Sequence, residues 1–358
     1  MPLKFRRVLI AEERYESAGV FDVDNDGVLD IVSGAWWYRG PDFTERHRVG
    51  DVRAVEEYYD DFSTVPLDVN GDGNVDFITG GWWGGSVRWR QNPGDPDREW
   101  PEHVIAETGN VESTRGWDID GDGVLEIVPN VPGGPLVVYD LVLDSDGKGT
   151  GTWKAHTMRR ESQGHGLGYG DITGNGRGDF VLANGWLEAP PDPYGNTWRW
   201  HPDFDLGSAS VPIIVADVNR DGLPDIIVGQ SHAYGLDWWE QRMAGGKRQW
   251  VKHAIDPYNS QYHDMKWIDI DGDGGCELVT GKRYRAHCGK DPGADDPIGI
   301  YYFKWTGESF VKQVIDYGPA GTASGLGIHF DMADLTGNGL PDIVAPGKDG
   351  LYVFFNEG

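Results

Sequence analysis

The sequence predicts an all-β protein, a seven-bladed β-propeller in which residues 1–358 form a single domain. Three observations lead to this prediction. An acidic motif recurs seven times, runs of β-branched and aromatic residues flank each copy, and little of the chain has the apolar spacing of a helix. Glycine and proline contribute 53 and 21 residues without a collagen-like period, which favours many turns over disorder.

The acidic motif, for example DVDNDGVLDIV, defines the repeat. Its copies begin at Asp22, Asp68, Asp118, Asp171, Asp217, Asp269 and Asp334. Successive copies lie 46 to 65 residues apart, a period typical of solenoids and propellers. Each copy joins two apolar strands, and an aromatic strand such as Trp36-Trp37-Tyr38 usually follows. A fourth strand carries an aromatic residue and then, in most copies, a histidine, so each repeat predicts one four-stranded blade.

The N-terminal segment is expected to complete the last blade. Residues 5–10 resemble the fourth strand of a repeat but precede the first acidic motif, and no such strand follows the last motif. The third strand of the seventh repeat lies at residues 351–355. We therefore expect the N-terminal strand to pair with this strand and close the ring, which removes the open edges of the sheet.

Composition excludes several classes of partner. Asp and Glu outnumber Lys and Arg by 58 to 31, and the net charge of −27 argues against binding nucleic acid or an anionic membrane. No apolar run approaches the roughly 20 residues of a membrane helix, and two cysteines cannot form a disulfide framework. The N-terminus does not resemble a secretory signal, so we expect a cytoplasmic protein if this is the native start and a secreted one if a leader was removed. The sequence leaves the oligomeric state open.

The acidic turns are predicted to bind divalent cations, Ca²⁺ or Mg²⁺. Side chains at positions 1, 3, 5 and 9 of a turn offer oxygen ligands for a hard cation, and the glycine after position 5 allows the sharp bend. The five strongest sets are Asp22, Asp24, Asp26 and Asp30; Asp68, Asn70, Asp72 and Asp76; Asp118, Asp120, Asp122 and Glu126; Asp217, Asn219, Asp221 and Asp225; and Asp269, Asp271, Asp273 and Glu277. We expect the ions to be structural, because the turn recurs in every blade.

The ten histidines fall into two groups. Five occupy the repeated position of the fourth strand, where we expect a structural role: His47, His103, His156, His201 and His253. The other five interrupt the repeat: His165, His232, His263, His287 and His329. Strand alternation places these five on the face opposite the acidic turns. Three imidazoles with an open position suit a catalytic metal such as Zn²⁺, with His165, His232 and His263 as the candidate ligands.

The same face carries residues suited to binding a small sugar or oligosaccharide. Indole rings stack on the C–H faces of a pyranose, while polar side chains recognise hydroxyl groups. The candidate substrate-binding residues are Glu16, Tyr58, Glu112, Arg115, Trp36, Trp82, Trp186 and His329. The insertions at residues 56–59 and 282–297 lie on this face as well. A narrow central funnel favours a small substrate, unless these two insertions wall an open groove.

The acidic repeats resemble the FG-GAP and VCBS propeller repeats over essentially the whole chain. The stretches YHDMKW at residues 262–267 and GKRYRAH at residues 281–287, with the recurrent Trp-Trp-Tyr strands, resemble the propeller domain of the aldos-2-ulose dehydratase family. This resemblance implies elimination of water from a keto-sugar such as 1,5-anhydrofructose, with metal ions in the propeller. The fungal enzyme of that family is longer and has a cupin-like region linked to isomerisation, so isomerisation is not expected here. Seven-bladed ulvan lyases, which act on uronates, provide a second analogy.

The resulting hypothesis is a carbohydrate lyase that works by metal-assisted β-elimination. Such a reaction needs a base for the α-proton, a cation beside the developing enolate and an acid for the leaving hydroxyl. Imidazoles could act as the base, Lys282 or Arg283 could replace the metal as the cation, and Tyr284, Tyr58 or His287 could act as the acid. The candidate catalytic residues are therefore His165, His263, His287, Tyr284, Lys282 and Arg283. The alternatives are a non-catalytic propeller that binds carbohydrate or protein, and a polysaccharide lyase of the ulvan type.

Overall fold

The computed structural model describes residues 2–358, and its regular structure is almost entirely β. The first strands are β1 (Phe5–Ala11), β2 (Gly19–Phe21), β3 (Asp30–Ser33), β4 (Trp36–Arg39), β5 (Glu45–Arg48), β6 (Ala54–Val55), β7 (Tyr58–Tyr59), β8 (Val65–Leu67), β9 (Asp76–Gly80), β10 (Ser86–Arg90) and β11 (Glu102–Glu107). They are followed by β12 (Ser113–Trp117), β13 (Glu126–Asn130), β14 (Leu136–Leu143), β15 (Gly149–Arg159), β16 (Leu167–Gly170), β17 (Asp179–Leu182), β18 (Gly185–Glu188), β19 (Arg199–His201) and β20 (Ile214–Ala216). The remaining strands are β21 (Asp225–Gly229), β22 (Leu236–Ala244), β23 (Lys247–Ala254), β24 (Tyr262–Ile268), β25 (Glu277–Lys282), β26 (Ile298–Trp305), β27 (Phe310–Gly318), β28 (Asp331–Ala333), β29 (Asp342–Gly347) and β30 (Gly350–Asn356).

These strands form seven four-stranded antiparallel sheets, which confirms the predicted seven-bladed propeller. Blades 1 to 6 are β2–β5, β8–β11, β12–β15, β16–β19, β20–β23 and β24–β27, in chain order. Blade 7 consists of β28, β29, β30 and β1. A small hairpin of β6 and β7 lies in the connection between blades 1 and 2 and overlaps the predicted insertion at residues 56–59.

The N-terminal strand closes the ring as predicted. β1 pairs antiparallel with β30 from Phe5 opposite Asn356 to Leu9 opposite Tyr352, and then, after an irregularity, Ala11 lies opposite Leu351. Both ends of the chain therefore contribute to one blade, and no blade ends in an unpaired third strand.

Aromatic–histidine stacks recur between the third and fourth strands and confirm the structural role of four histidines. His47, His103, His201 and His253 stack on Trp37, Trp89, Trp186 and Trp238, with ring centroids 4.0 to 4.6 Å apart. Each pair lies directly opposite in the strand register. His156 departs from this pattern, because it stacks at 3.9 Å on Tyr194 of the next blade. Cross-strand aromatic pairs of this kind contribute about 0.5–1.5 kcal/mol each beyond the area that they bury.

Among residues 2–358, the helical content is limited to one short element. A 3₁₀ turn, Ala286–Gly289, lies in the loop between β25 and β26 of blade 6. Within residues 2–358, no helix has the length and apolar character needed to cross a bilayer. The hydrophobic core lies between neighbouring blades, as in the cluster of Val128, Leu167, Phe180 and Trp198 from blades 3 and 4.

Candidate metal centre and active-site cavity

Four polar side chains from different blades meet at the end of the central channel opposite the acidic turns. Glu112 and His165 precede the innermost strands β12 and β16, and His263 lies at the start of the innermost strand β24. His232 follows β21, in the loop between the second and third strands of blade 5. These connections all open on one face of the ring because successive strands of a blade alternate in direction. The three predicted metal ligands are therefore brought together, and Glu112 joins them.

The four side chains present ligand atoms to a common point. His165 Nε2 lies 3.1 Å from His232 Nε2 and 3.2 Å from Glu112 Oε1, and His263 Nε2 lies 3.0 Å from the same carboxylate oxygen. All four ligand atoms lie within 4.8 Å of one another. In a tetrahedral zinc site with bonds of about 2.0–2.1 Å, neighbouring ligand atoms are about 3.3 Å apart. The spacing of this cluster therefore suits a small first-row cation.

The hydrogen bonds of the Nδ1 atoms orient the imidazoles of His165 and His232 and leave their Nε2 atoms toward the centre of the cluster. His165 Nδ1 lies 2.7 Å from the Ala209 carbonyl oxygen, and His232 Nδ1 lies 2.7 Å from Asp291 Oδ2. Because a carbonyl or an ionised carboxylate can only accept, each Nδ1 donates its hydrogen outward. The Nε2 atoms of His165 and His232 then face each other, and that of His165 also faces Glu112. Such outward donation orients ligand imidazoles in many metal sites.

A positive charge is needed among these converging acceptors. Burial opposes ionisation of Glu112, yet the imidazoles of His165 and His263 hold its pKa well below the usual value. Burial and the neighbouring His165 lower the pKa of His232 to about 4, and burial lowers that of His263 well below its usual range. Burial opposes a charge on His165, but Glu112 raises its pKa; a single proton on its Nε2 can still bond only Glu112 or His232 at one time. A bound cation would engage all four ligand atoms at once, so these residues fit a metal ion.

A second histidine–carboxylate contact adjoins the cluster. His287 Nδ1 lies 2.8 Å from Asp291 Oδ1, so the Asp291 carboxylate bridges His287 and His232. The two imidazoles also stack, with ring centroids 4.3 Å apart and planes inclined by 13°. His287 is exposed. Its φ of 48° is left-handed, as is that of neighbouring Cys288 at 55°, and such strained backbone is typical of functional loops.

A small cavity of about 80 Å³ lies directly beside the cluster. It is lined by Tyr58, Phe62, Trp82, Trp83, Glu112, Arg283 and His287. Arg283 is buried and binds Glu16 through two hydrogen bonds, of 2.8 and 3.2 Å. The Tyr58 hydroxyl is buried without a hydrogen-bond partner, and burial raises its pKa to about 12. The predicted site residues Tyr58, Trp82, Glu112, Arg283 and His287 thus share one cavity, with Glu16 behind it.

The catalytic assignment of Lys282 needs correction. Lys282 is fully buried, and its ammonium donates to Ser260 Oγ at 2.9 Å and to the Gly293 carbonyl oxygen. It therefore anchors the long loop of blade 6 and does not line the cavity. Tyr284, in the same loop, lines a different cavity farther from the cluster.

Two tryptophans predicted to bind substrate also have other roles. Trp186 is fully buried beneath His201, and its indole N–H donates to Asp203 at 2.9 Å. Trp36 lies under the guanidinium of Arg46, 4.3 Å from the ring centroid. Neither ring lines the cavity beside the cluster, and the Trp186 ring has no exposed surface to stack on a sugar.

Arg115 and His329 lie deeper in the central channel than predicted. Both line a cavity of about 510 Å³ surrounded by the innermost strands. Arg115 pairs with buried Asp264 at 2.9 Å, and His329 Nδ1 lies 3.2 Å from the Ala18 carbonyl oxygen. They are therefore separate from the metal cluster, although their strands also contribute to the channel.

Sequence reasoning missed Asp291, Trp83 and Lys348. Asp291 lies four residues after His287, a spacing that could have marked a histidine–carboxylate pair. Trp83 adjoins Trp82, and the sequence alone does not show that both rings face the cavity. Lys348 comes from blade 7, and its Nζ lies 3.6 Å from the Tyr58 ring centroid. That contact carries no local sequence signal.

The last carboxylate of the acidic turns is a structural anchor. Asp30 accepts the N–H groups of Val23 and Gly40, both at 2.8 Å, which ties the turn to the end of the third strand. The same double contact recurs at Asp76, Asp179, Asp225 and Asp342. Burial raises the pKa of Asp30 to about 6. These oxygens therefore stabilise the blade through the backbone, whether or not a cation is bound.

Protein cations lie at two of the turns predicted to bind metal. Lys304 Nζ contacts Asp271, lies 2.7 Å from Asp273 and lies 3.1 Å from Glu277 in the sixth turn. Arg39 lies 2.8 Å from Asp24 and 3.1 Å from Asp26 in the first turn. The third turn also clusters its carboxylates, those of Asp118, Asp120 and Asp122. No Lys or Arg of residues 2–358 pairs with these three, so the third turn best retains the predicted Ca²⁺ or Mg²⁺ site.

Comparison with known proteins supports the repeat and the fold. The FG-GAP-like repeat family matches residues 68–128 and 217–280. A crystal structure of BBS1N in complex with ARL6DN, soaked with lead, is 9% identical and has a TM-score of 0.57, covering 99% of this chain and 96% of that one. At that identity the likeness shows the fold alone. A structure of the Photorhabdus luminescens Tc holotoxin pore is 13% identical with a TM-score of 0.39, covering 89% of this chain and 16% of that one. A search of curated proteins found no significant match. The resemblance to aldos-2-ulose dehydratase stays a prediction.

Proposed function

We propose that this protein is a metal-dependent carbohydrate lyase that catalyses β-elimination from a sugar bearing a carbonyl group. One observation carries the proposal: three imidazoles and a carboxylate converge beside a cavity lined by aromatic side chains and an arginine. A donor set of three nitrogens and one oxygen suits Zn²⁺ or another first-row metal better than Ca²⁺, which prefers six to eight oxygens.

The residues of the cluster would hold the metal, and the side chains around it would position the substrate. Glu112, His165, His232 and His263 would be the ligands. When bound, the metal would supply a Lewis acid to polarise the carbonyl group of the sugar, which requires a coordination position beyond these four ligand atoms. The half-buried rings of Trp82 and Trp83 offer apolar faces for the C–H surface of a sugar, and Arg283 adds positive charge to the same cavity. Elimination next to a carbonyl needs this combination of electrostatic stabilisation and orientation.

His287 is the residue best placed to move a proton. Asp291 holds its Nδ1–H, which leaves Nε2 available to accept a proton from the carbon next to the carbonyl. The electrons of that C–H bond form the new carbon–carbon double bond, and the bond to the β-hydroxyl breaks. Tyr58 keeps its proton at neutral pH, because burial raises its pKa to about 12, and it lies in the same cavity. Tyr58 could therefore donate a proton to the departing hydroxyl, which leaves as water.

The test combines metal content with an optical assay for elimination. Purified protein is analysed for metals before and after mild chelation, and 1,5-anhydrofructose and a uronate polymer are scanned for the ultraviolet absorbance of an unsaturated carbonyl product. We expect about one transition metal per chain and a rise in absorbance that chelation abolishes. His287→Ala should lose turnover and keep the metal, whereas His201→Ala, which removes a structural histidine, should keep both.

The opposite outcome identifies the non-catalytic alternative. Calcium as the only bound metal, with no product from either substrate class, would overturn the lyase proposal. It would then favour a propeller that binds carbohydrate or protein. Graded loss of ligand affinity in the histidine variants, without turnover in the parent, would point the same way.

A further inference from the structure

A second, larger cavity lies on the same face as the metal cluster. This outer groove has a volume of about 770 Å³ and is lined by residues from blades 1, 6 and 7 and from the hairpin of β6 and β7. Its lining includes Tyr59, Tyr284, Arg285, Lys348 and Asp349. The walls are the insertions at residues 56–59 and 284–285, which interrupt the repeat in the sequence. Irregular loops on a rigid scaffold are the usual location of binding residues.

The outer groove and the active-site cavity are neighbours. Tyr58 lines both of them. On the side of the groove, Lys348 Nζ lies 3.6 Å from the Tyr58 ring centroid, and on the side of the cavity the Arg283 guanidinium lies 5.6 Å from it. Lys348 also donates to the Arg285 carbonyl oxygen at 2.8 Å, which ties blade 7 to the loop of blade 6. A ligand longer than one sugar unit could therefore contact both spaces.

The sizes of the two spaces favour such a ligand. A cavity of about 80 Å³ has space for about five to eight water molecules at roughly 10–15 Å³ each. It lies well below the range of sites for larger ligands, so we expect it to take no more than one sugar unit. The groove falls within the roughly 300–1,000 Å³ range of sites for larger organic ligands. The remainder of the substrate therefore has space in the groove.

Three buried oxygen atoms at the groove have no hydrogen-bond partner. Both carboxylate oxygens of Asp349 are buried without a partner, and so is the Tyr58 hydroxyl. An unsatisfied buried acceptor is unfavourable, and more so when it is charged. Burial accordingly raises the pKa of Asp349 to about 6. Sugar hydroxyl groups are donors that would satisfy this carboxylate.

The charge of the groove favours a neutral ligand over a uronate. Arg285 is engaged by Glu57 through hydrogen bonds of 2.6 and 2.9 Å, and Lys348 lies 3.8 Å from Glu16. Glu12, Glu56 and Asp349 add negative charge, against Arg14 as a further cation. The chain as a whole carries −27. With four acidic and three basic side chains, the lining has no excess of positive charge to attract a polyanion.

We propose that the outer groove binds the non-reacting units of a neutral oligosaccharide whose terminal unit enters the active-site cavity. Asp349 accepts hydrogen bonds from sugar hydroxyls, and Tyr284 contributes an aromatic face. The proposed binding of the non-reacting units depends only on the groove. The proposed reaction of the terminal unit depends on the lyase function proposed above.

Binding is measured by calorimetry on the full chain after chelation, so that turnover does not enter. The probes are neutral gluco-, manno-, xylo- and galacto-oligosaccharides of one to four units in both anomeric series, with galacturonic acid oligomers of the same lengths. We expect affinity to rise at least tenfold from one to three units in at least one neutral series, and no such rise for galacturonic acid. A loss of activity in the separate lyase assay would leave this length dependence intact, so the two proposals can fail independently.

Two variants locate the binding. Asp349→Asn should weaken the best neutral oligosaccharide about tenfold or more, because it removes a charged acceptor. Tyr284→Ala should weaken it severalfold, whereas Tyr258→Ala, which removes a tyrosine that is 84% exposed on another blade, should have no effect. All variants should leave the affinity for the monosaccharide nearly unchanged. The proposal is overturned if no neutral series gains affinity with length, if galacturonic acid oligomers bind best, or if both groove variants bind like the parent.

Discussion

Removing one imidazole from the metal cluster tests the central claim directly. His165 Nε2 lies 3.1 Å from His232 Nε2 and 3.2 Å from Glu112 Oε1, so His165→Ala removes one of four converging ligand atoms. In the parent protein, added Zn²⁺ should bind and stabilise the fold. In the variant, the response to Zn²⁺ should largely disappear. Without metal, the variant should be less stable than the parent, because buried Glu112 then keeps only His263 as a partner, so the response to Zn²⁺ is compared within each protein.

The expected stabilisation follows from linkage. A ligand at 100 times its dissociation constant stabilises the native state by about 2.7 kcal/mol. With an unfolding entropy of about 2.1 cal/mol/K per residue, a chain of 358 residues has a total near 750 cal/mol/K. Dividing the stabilisation of about 2.7 kcal/mol by this unfolding entropy predicts a rise in Tm of about 4 °C for the parent. For His165→Ala we expect a rise of less than about 1 °C.

Scanning calorimetry of chelated protein, with and without Zn²⁺, measures this difference, and elemental analysis gives the stoichiometry. His201→Ala is the matched control, because it removes a histidine that stacks on Trp186 far from the cluster. It should lower Tm slightly and keep the full response to Zn²⁺. Equal responses in the parent and in His165→Ala would refute the assignment of these ligands, as would the absence of a response in the parent.

Three further predictions concern the surroundings of the two sites. Asp291→Asn should weaken Zn²⁺ binding about 10- to 100-fold in a competition assay with a chelating dye, because His232 loses its carboxylate partner; unchanged affinity would contradict the role of Asp291. Lys304→Gln leaves the sixth acidic turn without its ammonium, so Ca²⁺ should raise Tm more in the variant than in the parent, and equal shifts would refute this. Asp349 has a pKa of about 6 in the folded protein and about 3.9 unfolded, so it lowers stability as pH rises from about 4 to about 6, by up to about 3 kcal/mol. Asp349→Asn should lack this decrease and be more stable than the parent at pH 7 by calorimetry, and an identical pH profile in both proteins would contradict it.

The sequence was sufficient to predict the fold because the repeat is local. Each acidic turn links adjacent strands, and the last carboxylate of most turns is satisfied by backbone N–H groups of its own blade, as at Asp30 and Asp76. A motif whose hydrogen bonds form within its own blade recurs at similar spacing in the sequence and can be recognised there. Closure was also predictable, because β1 had to supply the missing fourth strand of blade 7.

The number of residues between a side chain and the acidic turn that follows it explains which site residues could be predicted. Glu16, Glu112, His165 and His263 each lie six residues before the acidic turn of their blade. All four reach the active site, three as candidate ligands and Glu16 through Arg283. His329 lies five residues before its turn, and a shift of one residue in a strand directs the side chain to the opposite side. It accordingly faces the deeper channel.

The remaining assignments required three-dimensional contacts. Adjacent tryptophans gave no indication of which ring is buried, and Trp186 turned out to lie inside the blade beneath His201. Lys282 adjoins Arg283 in the chain, yet the two side chains diverge: one binds Ser260, and the other binds Glu16. Asp291 and Lys348 reach the site through a loop and a neighbouring blade, so their partners lie too far away in the sequence to be inferred from spacing.

The two faces of the ring differ in how their buried carboxylates are satisfied. Asp30 and its equivalents are buried, but backbone N–H groups offset the cost of removing them from water. On the opposite face, Asp349 is buried without a donor, and Glu112 is buried with the imidazoles of His165 and His263 as its partners. The unpaired burial of Asp349 lowers the stability of the protein, and a ligand that donates to this carboxylate would restore it. Stabilising substitutions at Asp349 that reduce binding would therefore be the signature of a site retained for function.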